Sequence, residues 1–107
     1  GAWGVLERAV GFGAQLQVLY MDACMLSGPI PDALGKCIAL EELGLDGNQL
    51  TGSIPEALGA CRALRRLYLH NNLLTGPIPE ALGQCTVLEK LSLLSGNQLT
   101  GDVPAAL

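Results

Sequence analysis

Basic residues are scarce in this chain. Its 107 residues include six Lys and Arg against ten Asp and Glu, which gives a net charge of −4. Nucleic-acid binding needs clustered Lys and Arg side chains that neutralise phosphates, and here only Arg65 and Arg66 are adjacent. The composition therefore predicts that nucleic acid is not a partner.

Long apolar runs are also missing, although half of the residues are apolar and the mean hydropathy is +0.38. A membrane-spanning helix needs roughly 20 predominantly apolar residues in sequence. Fourteen Gly and six Pro interrupt every candidate stretch. We therefore expect no membrane insertion, and we assign the apolar excess to a repeated core.

The dominant positive feature is a period of 24 residues. Leucines, glycines, isoleucines, prolines and cysteines all recur at this interval, and the landmarks are Leu40, Leu64 and Leu88; Gly28, Gly52 and Gly76; Ile30, Ile54 and Ile78; Pro31, Pro55 and Pro79; Cys37, Cys61 and Cys85. A fixed period of this length indicates one structural unit stacked along an axis, in which each copy buries its apolar face against its neighbours. The sequence thus predicts a solenoid.

The segment 40–63, LEELGLDGNQLTGSIPEALGACRA, represents the unit. Alternation of polar and apolar residues over 42–46 predicts a half-buried strand. Asn48 is expected to turn its amide inward and bond the backbone of the bend. Pro55 is expected to start a short helical turn that Gly59 ends.

The period divides the chain into one domain, 1–107. Its parts are a partial N-terminal repeat (1–15), three full repeats (16–39, 40–63 and 64–87) and a truncated fourth repeat (88–107). Cys24 replaces the repeated Asn in the first full repeat. One additional residue lies between Leu93 and Asn97, and we expect it to form a bulge at the end of the fourth strand.

The motif LxxLxLxxNxLxGxIPxxLGxC, present from Leu40 through Cys61, resembles the plant-type leucine-rich repeat. The resemblance implies an α/β repeat solenoid with a parallel sheet on the concave side and short 3-10 or helical turns on the convex side. It also implies a second short strand around the Thr-Gly-x-Ile-Pro segment. Members of this family occur in receptor-like kinases and receptor-like proteins and in some algal and protist GTPases, and they bind proteins or peptides.

Four cysteines in a short chain are compatible with two disulfides in a secreted protein. However, Cys37, Cys61 and Cys85 occupy one column, where side chains point the same way and not at each other. We therefore favour buried free thiols, and we expect Cys24 to be buried as well. No Asn-x-Ser/Thr acceptor is present. The expected free thiols and the missing glycosylation acceptor both favour an intracellular location over a secreted one.

Side chains that point outward from the predicted strands form columns across the concave sheet. We expect this surface to bind a ligand, and its candidate residues are Tyr20, Asp22, Glu42, Asp46, Arg66, Tyr68, His70 and Lys90. Tyrosine offers a large contact area at little cost in rotamer entropy. The alternative is that Glu42–Arg66 and Asp46–His70 are only cross-strand pairs that stabilise the sheet.

Gly44 separates Tyr20 from Tyr68 in their column. The missing side chain predicts a notch about 10 Å wide between two aromatic rings. Such a notch would suit an apolar or cationic group of a partner.

Catalysis is not expected. His70 is the only histidine, and although Asp46 is placed to orient it, no serine lies near His70 in the adjacent exposed columns. Asp22, Asp46 and His70 lie in a straight row, which converges poorly on a metal ion. We therefore predict no enzymatic activity, no metal and no cofactor.

The sequence thus favours a non-catalytic module that binds a protein or peptide on its concave face. The alternative is a structural or regulatory spacer within a larger protein that contains a kinase or GTPase domain. The fourth strand carries an open edge beside Leu91 and Leu93, and such edges invite pairing. We therefore also expect self-association through the C-terminal end of the solenoid.

Overall fold

The computed structural model describes residues 13–105 and 107. Most of the predicted partial repeat over residues 1–15 lies outside this range. Four short parallel strands form the concave sheet: β1 (Val18–Tyr20), β3 (Glu42–Gly44), β5 (Arg66–Tyr68) and β7 (Lys90–Ser92), in the order β1-β3-β5-β7. Partners in this sheet, such as Leu43 and Leu67, are one 24-residue period apart.

A second parallel sheet contains β2 (Ser27–Pro29), β4 (Gln49–Gly52), β6 (Leu73–Pro77) and β8 (Gln98–Thr100), again in chain order. It includes the Thr-Gly segments that the family resemblance marked as a second strand, so that prediction is confirmed. Each repeat therefore places one strand in each sheet.

Short 3-10 turns complete the repeats at Gly13–Gln15, Asp32–Lys36, Glu56–Ala60 and Glu80–Gln84. Pro55 caps the third turn with a φ of −71°, as predicted. The prediction that Gly59 ends this turn is wrong, because Gly59 lies inside it. A Cβ on Gly59 would stand 2.5 Å from the carbonyl oxygen of Ala81. This glycine is therefore required by close packing between neighbouring turns.

The core is a stack of apolar layers, as the apolar excess predicted. Each layer receives the inward leucines of one concave strand and the Ile and Leu of the following turn. The large side chains that are fully buried include Leu26, Leu34, Leu40, Leu43, Leu45, Leu50, Leu58, Leu64, Leu67, Leu69 and Leu74. Because β3 and β5 bury their central residues Leu43 and Leu67, a slip of the register by one residue would expose these leucines.

The repeated asparagines turn inward, as predicted. The amide nitrogen of Asn72 donates to the carbonyl oxygens of Leu45 and Leu69 at 3.0 Å, and its Oδ1 accepts from the Leu50 amide at 3.1 Å. Asn48 makes the equivalent bonds one repeat earlier. This ladder satisfies backbone groups that the bend would otherwise leave unpaired in the core.

The additional residue of the fourth repeat bulges outward, as expected. The Gly47 amide bonds the His70 carbonyl 23 positions ahead, whereas the Asn71 amide bonds Ser95, 24 positions ahead. The strand before it keeps its register, with Tyr68 opposite Ser92. Leu94 lies at the bulge and is exposed.

Cys37, Cys61 and Cys85 are free and buried in one column, as predicted. The prediction for Cys24 is wrong, because its side chain is exposed. Its thiol donates only to the carbonyl oxygen of Asp22, at 3.4 Å. A thiol has one weak donor and cannot supply the inward donor–acceptor set of the asparagine that it replaces.

Thiol chemistry should distinguish these two environments. Burial raises the pKa of the Cys37 and Cys85 thiols and raises that of Cys61 to about 11. Since the thiolate is the reactive form, we expect one thiol, Cys24, to react rapidly in the native protein and three to react only after denaturation. The measurement is a titration with a chromogenic thiol reagent. Cys24→Ser should remove the fast phase alone, and fewer than four thiols in the denatured protein would contradict the assignment.

Candidate concave binding surface

The concave sheet brings most of the predicted binding residues into contact. The strand registers place Arg66 between Glu42 and Lys90, and they place Gly44 between Tyr20 and Tyr68. Six of the predicted residues form one connected set, which we call the concave network: Tyr20, Glu42, Asp46, Arg66, Tyr68 and His70. Its members come from three successive repeats.

The notch predicted between the tyrosines does not exist. The ring centroids of Tyr20 and Tyr68 lie 6.5 Å apart with an interplanar angle of 27°, so the rings stack. Tyr20 leans over Gly44, and a Cβ at position 44 would collide with Cδ1 of its ring. The missing side chain thus lets the rings approach each other, and the surface presents an aromatic platform.

A charged partner holds the Tyr20 ring in this position. The hydroxyl of Tyr20 donates a hydrogen bond to Oε1 of Glu42 at 2.5 Å. The same oxygen lies 3.9 Å from Nη1 of Arg66, which confirms the predicted cross-strand pair. Arg66 Nε is buried and finds no acceptor among the described residues. The Arg66 guanidinium is therefore paired with Glu42 through Nη1, whereas its Nε has no hydrogen-bond partner among the described residues.

The other end of the platform is a histidine–aspartate pair. Nε2 of His70 lies 3.6 Å from Oδ2 of Asp46, as the column alignment predicted. The imidazole meets the Tyr68 ring edge-on, with centroids 6.2 Å apart and an interplanar angle of 89°. These contacts fix Tyr68 between Tyr20 and His70.

The two remaining predicted binding residues, Asp22 and Lys90, lie at opposite edges of the concave sheet. Asp22 follows β1 and is exposed, and Lys90 begins β7 and is also exposed. Neither belongs to the concave network. They place one negative and one positive charge at opposite ends of the surface.

The hydrogen bond to Glu42 is the main reason that the pKa of Tyr20 is raised from 10.0 to about 12, and desolvation adds to it. Folding therefore favours the neutral phenol. This contribution to stability is fully present below about pH 10 and is lost as the pH rises through about 12.

Removing the Glu42 charge should lower this pKa. In a Tyr68→Phe background, where Tyr20 is the only tyrosine, Glu42→Gln should move the titration of Tyr20 back toward 10. The measurement is near-ultraviolet absorbance against pH, with circular dichroism to verify folding. An unchanged midpoint would show that Glu42 does not hold the phenol.

A second row of charges, which we did not predict from the sequence, lies directly before the strands β3, β5 and β7. Arg65 contacts Glu89 through Nε and Nη2, both at 3.0 Å, and lies 3.7 Å from Glu41. The hydrogen bond to Glu89 raises the pKa of Arg65. The signal was present, since residues 41, 65 and 89 alternate in charge at the period of the repeat. This row borders the concave network.

No deep cavity opens on the concave network, and the described residues contain no group of three His, Cys, Asp or Glu side chains arranged to hold a metal. In the same part of the chain, no helix has the length and apolar character needed to cross a membrane. The arrangement is a broad, polar and aromatic surface, suited to contact with another polypeptide.

The stacked parallel strands, the inward asparagines and the 3-10 turns define a solenoid repeat protein. Residues 38–99 match the family model described as Leucine rich repeat, and residues 15–37 match one described as Leucine Rich Repeat. The chain belongs to the leucine-rich repeat family, and its structural neighbours show that the repeats are of the plant type. Among curated protein sequences, none matches it.

Solved structures of plant receptors are similar to this chain. The BIR3–SERK2 complex of Arabidopsis thaliana is 41% identical over 86% of this chain, with a TM-score of 0.81. The plant peptide hormone receptor RGFR1 in complex with RGF2 is 36% identical over 92%, with a TM-score of 0.86. The Arabidopsis receptor kinase HAESA, in complex with the peptide hormone IDA and the co-receptor SERK1, is 39% identical over 89%, with a TM-score of 0.80.

This chain corresponds to only part of each of these proteins. It covers 49% of the chain in the BIR3–SERK2 structure and 16% of both the RGFR1 and HAESA chains. In these neighbours the leucine-rich repeat domain is a non-catalytic binding module. The fold class and the absence of a catalytic role predicted from sequence are therefore confirmed at the level of the family.

Proposed function

We propose that this chain is a non-catalytic module that binds a protein or peptide through its concave face. The observation that carries this proposal is the aromatic platform of Tyr20 and Tyr68, held in place by Glu42 and His70. Rigid tyrosines are effective anchors, because they bury a large area and lose few rotamers on binding. The complexes formed by the structural neighbours support a protein or peptide as the partner class.

The concave network, together with Asp22 and Lys90, would act in two ways. Tyr20 is 45% exposed, so its ring is available to stack on a planar or apolar group of the ligand. Asp22, Glu42, Asp46, Arg66, His70 and Lys90 would form a polar rim that selects orientation by charge. Because the rings are already ordered, binding would cost less conformational entropy than it would with free side chains.

Removal of the platform should weaken binding at least tenfold, or about 1.4 kcal/mol. Peptides would be selected from a displayed random library on the immobilised chain, and their affinities measured by calorimetry. The test variant carries Tyr20→Ala and Tyr68→Ala. Arg62→Ala, at an exposed position outside the concave network, serves as the control and should retain full affinity.

Unchanged affinity of the double variant for every selected peptide would contradict the concave site. A wild-type chain that selects no peptide at all would favour the spacer role instead. Self-association through the C-terminal strand, which the sequence predicts, stays a prediction.

A further inference from the structure

A second surface lies between the ends of the second-sheet strands and the beginnings of the 3-10 turns. Two adjoining depressions of about 490 and 900 Å³ open there, and both are bounded by Glu56, Pro77 and Pro79. Together they run from Asp32 in the first full repeat to Pro104 in the fourth. We call this continuous feature the proline groove.

The floor of the proline groove is apolar and preformed. Ile54 is only 2% exposed, and Pro55 and Pro79 are buried. Pro55 and Pro79 have φ angles of −71° and −67°, which their rings fix. Pro77 and Val103 add exposed apolar surface along the wall. The groove therefore requires little ordering before it can receive an extended chain.

Its rim carries charge of one sign. Asp32, Glu56 and Glu80 each occupy the first position of a 3-10 turn, and Asp102 lies beside the fourth repeat. All four are exposed. No Lys, Arg or His lines either depression, and none of the ion pairs among the described residues involves these carboxylates. The rim therefore presents a row of uncompensated negative charge to a ligand.

We infer that the proline groove binds an extended, basic segment of a partner protein, in which Lys or Arg alternates with proline or other small apolar residues. The aliphatic stems of the basic side chains would pack on the exposed apolar surface of Pro77 and Val103 while their charged heads pair with the carboxylates on the rim. The shallow groove fits an extended backbone, and its charge complements a cationic one. This surface is separate from the concave network and works independently of it.

The test uses a fluorescent peptide of alternating arginine and proline. A peptide of alternating glutamate and proline, which has the opposite charge, is the control for charge. The variant carries Glu56→Gln and Glu80→Gln, which remove two rim charges without a change of shape. The control variant carries Glu41→Gln and Glu89→Gln, which change the net charge equally but lie outside the groove, directly before β3 and β7 of the concave sheet. Anisotropy titrations are run at low and at physiological salt.

We expect the arginine peptide to bind the wild type, more weakly as salt increases. The rim variant should bind it about fivefold more weakly, because each exposed ion pair contributes modestly. The control and the variant with both tyrosines replaced by alanine should bind it as the wild type does. That last result separates this inference from the concave proposal.

Three outcomes would overturn the inference. They are failure of the arginine peptide to bind the wild type at low salt, an equal loss in the rim variant and the control, and equally tight binding of the glutamate peptide. The second would indicate attraction to net charge alone.

Discussion

Replacing Asn72 with alanine is expected to lower the free energy of unfolding by about 3 kcal/mol. The substitution removes the side-chain oxygen that accepts from the buried Leu50 amide. It also removes donors to the carbonyl oxygens of Leu45, Leu69 and His70. The Leu45 and Leu69 carbonyls keep other donors, because the side-chain amide of Asn48 bonds Leu45 and that of Asn97 bonds Leu69. The substitution therefore takes an acceptor from one buried donor and removes several further hydrogen bonds.

Urea unfolding monitored by circular dichroism measures this change. Gln49→Ala is the matched control, because Gln49 is an exposed amide on the neighbouring strand, and it should change stability by less than about 0.5 kcal/mol. A similar small effect for Asn72→Ala would mean that the ladder does not support the stack.

Gly59→Ala is expected to destabilise the fold by about 3 kcal/mol, near the upper end for overpacking. The new methyl would stand 2.5 Å from the Ala81 carbonyl oxygen and 2.9 Å from its Cβ. The oxygen belongs to the backbone of the next repeat, so relief requires two turns to separate. That movement would open the layers on which both repeats depend.

Gly52→Ala separates this clash from ordinary backbone strain. Gly52 has a φ of +76° but no atom within 4 Å of an added Cβ, so alanine there should cost only about 1 kcal/mol. Thermal and urea unfolding of the two variants side by side give the comparison. Equal losses would show that the approach of the turns is less tight than 2.5 Å.

Features set by the period were predictable from the sequence. Equivalent residues of successive repeats lie beside each other in the stack. This fact alone predicts the concave strands, the inward asparagines and the pairing of Glu42 with Arg66. The bulge at Leu94 followed from a count of residues. In each case the position along the repeat decided the outcome.

Features that depend on side-chain rotamers or on contacts between repeats were not predictable in this way. The column placed Tyr20 and Tyr68 correctly, yet a hydrogen bond to Glu42 and the space above Gly44 bring their rings together. Cys24 aligns with the inward asparagines of the other repeats, but its thiol cannot replace their hydrogen bonds and its side chain is exposed.

The role of Gly59 was missed for a related reason. Its sequence position suits a helix terminus, and only the neighbouring repeat reveals the contact that requires a glycine. The Glu41–Arg65–Glu89 row, by contrast, was predictable, because its charges alternate at the period of the repeat.

We propose that the concave network forms the binding surface. Amide chemical shifts of the chain, followed during titration with a library-selected peptide, test it most directly. Tyr20, Gly44 and Tyr68, which lie on β1, β3 and β5, should show the largest changes, and the 3-10 turns should show little. Changes confined to the turns, with the concave strands unaffected, would contradict the claim.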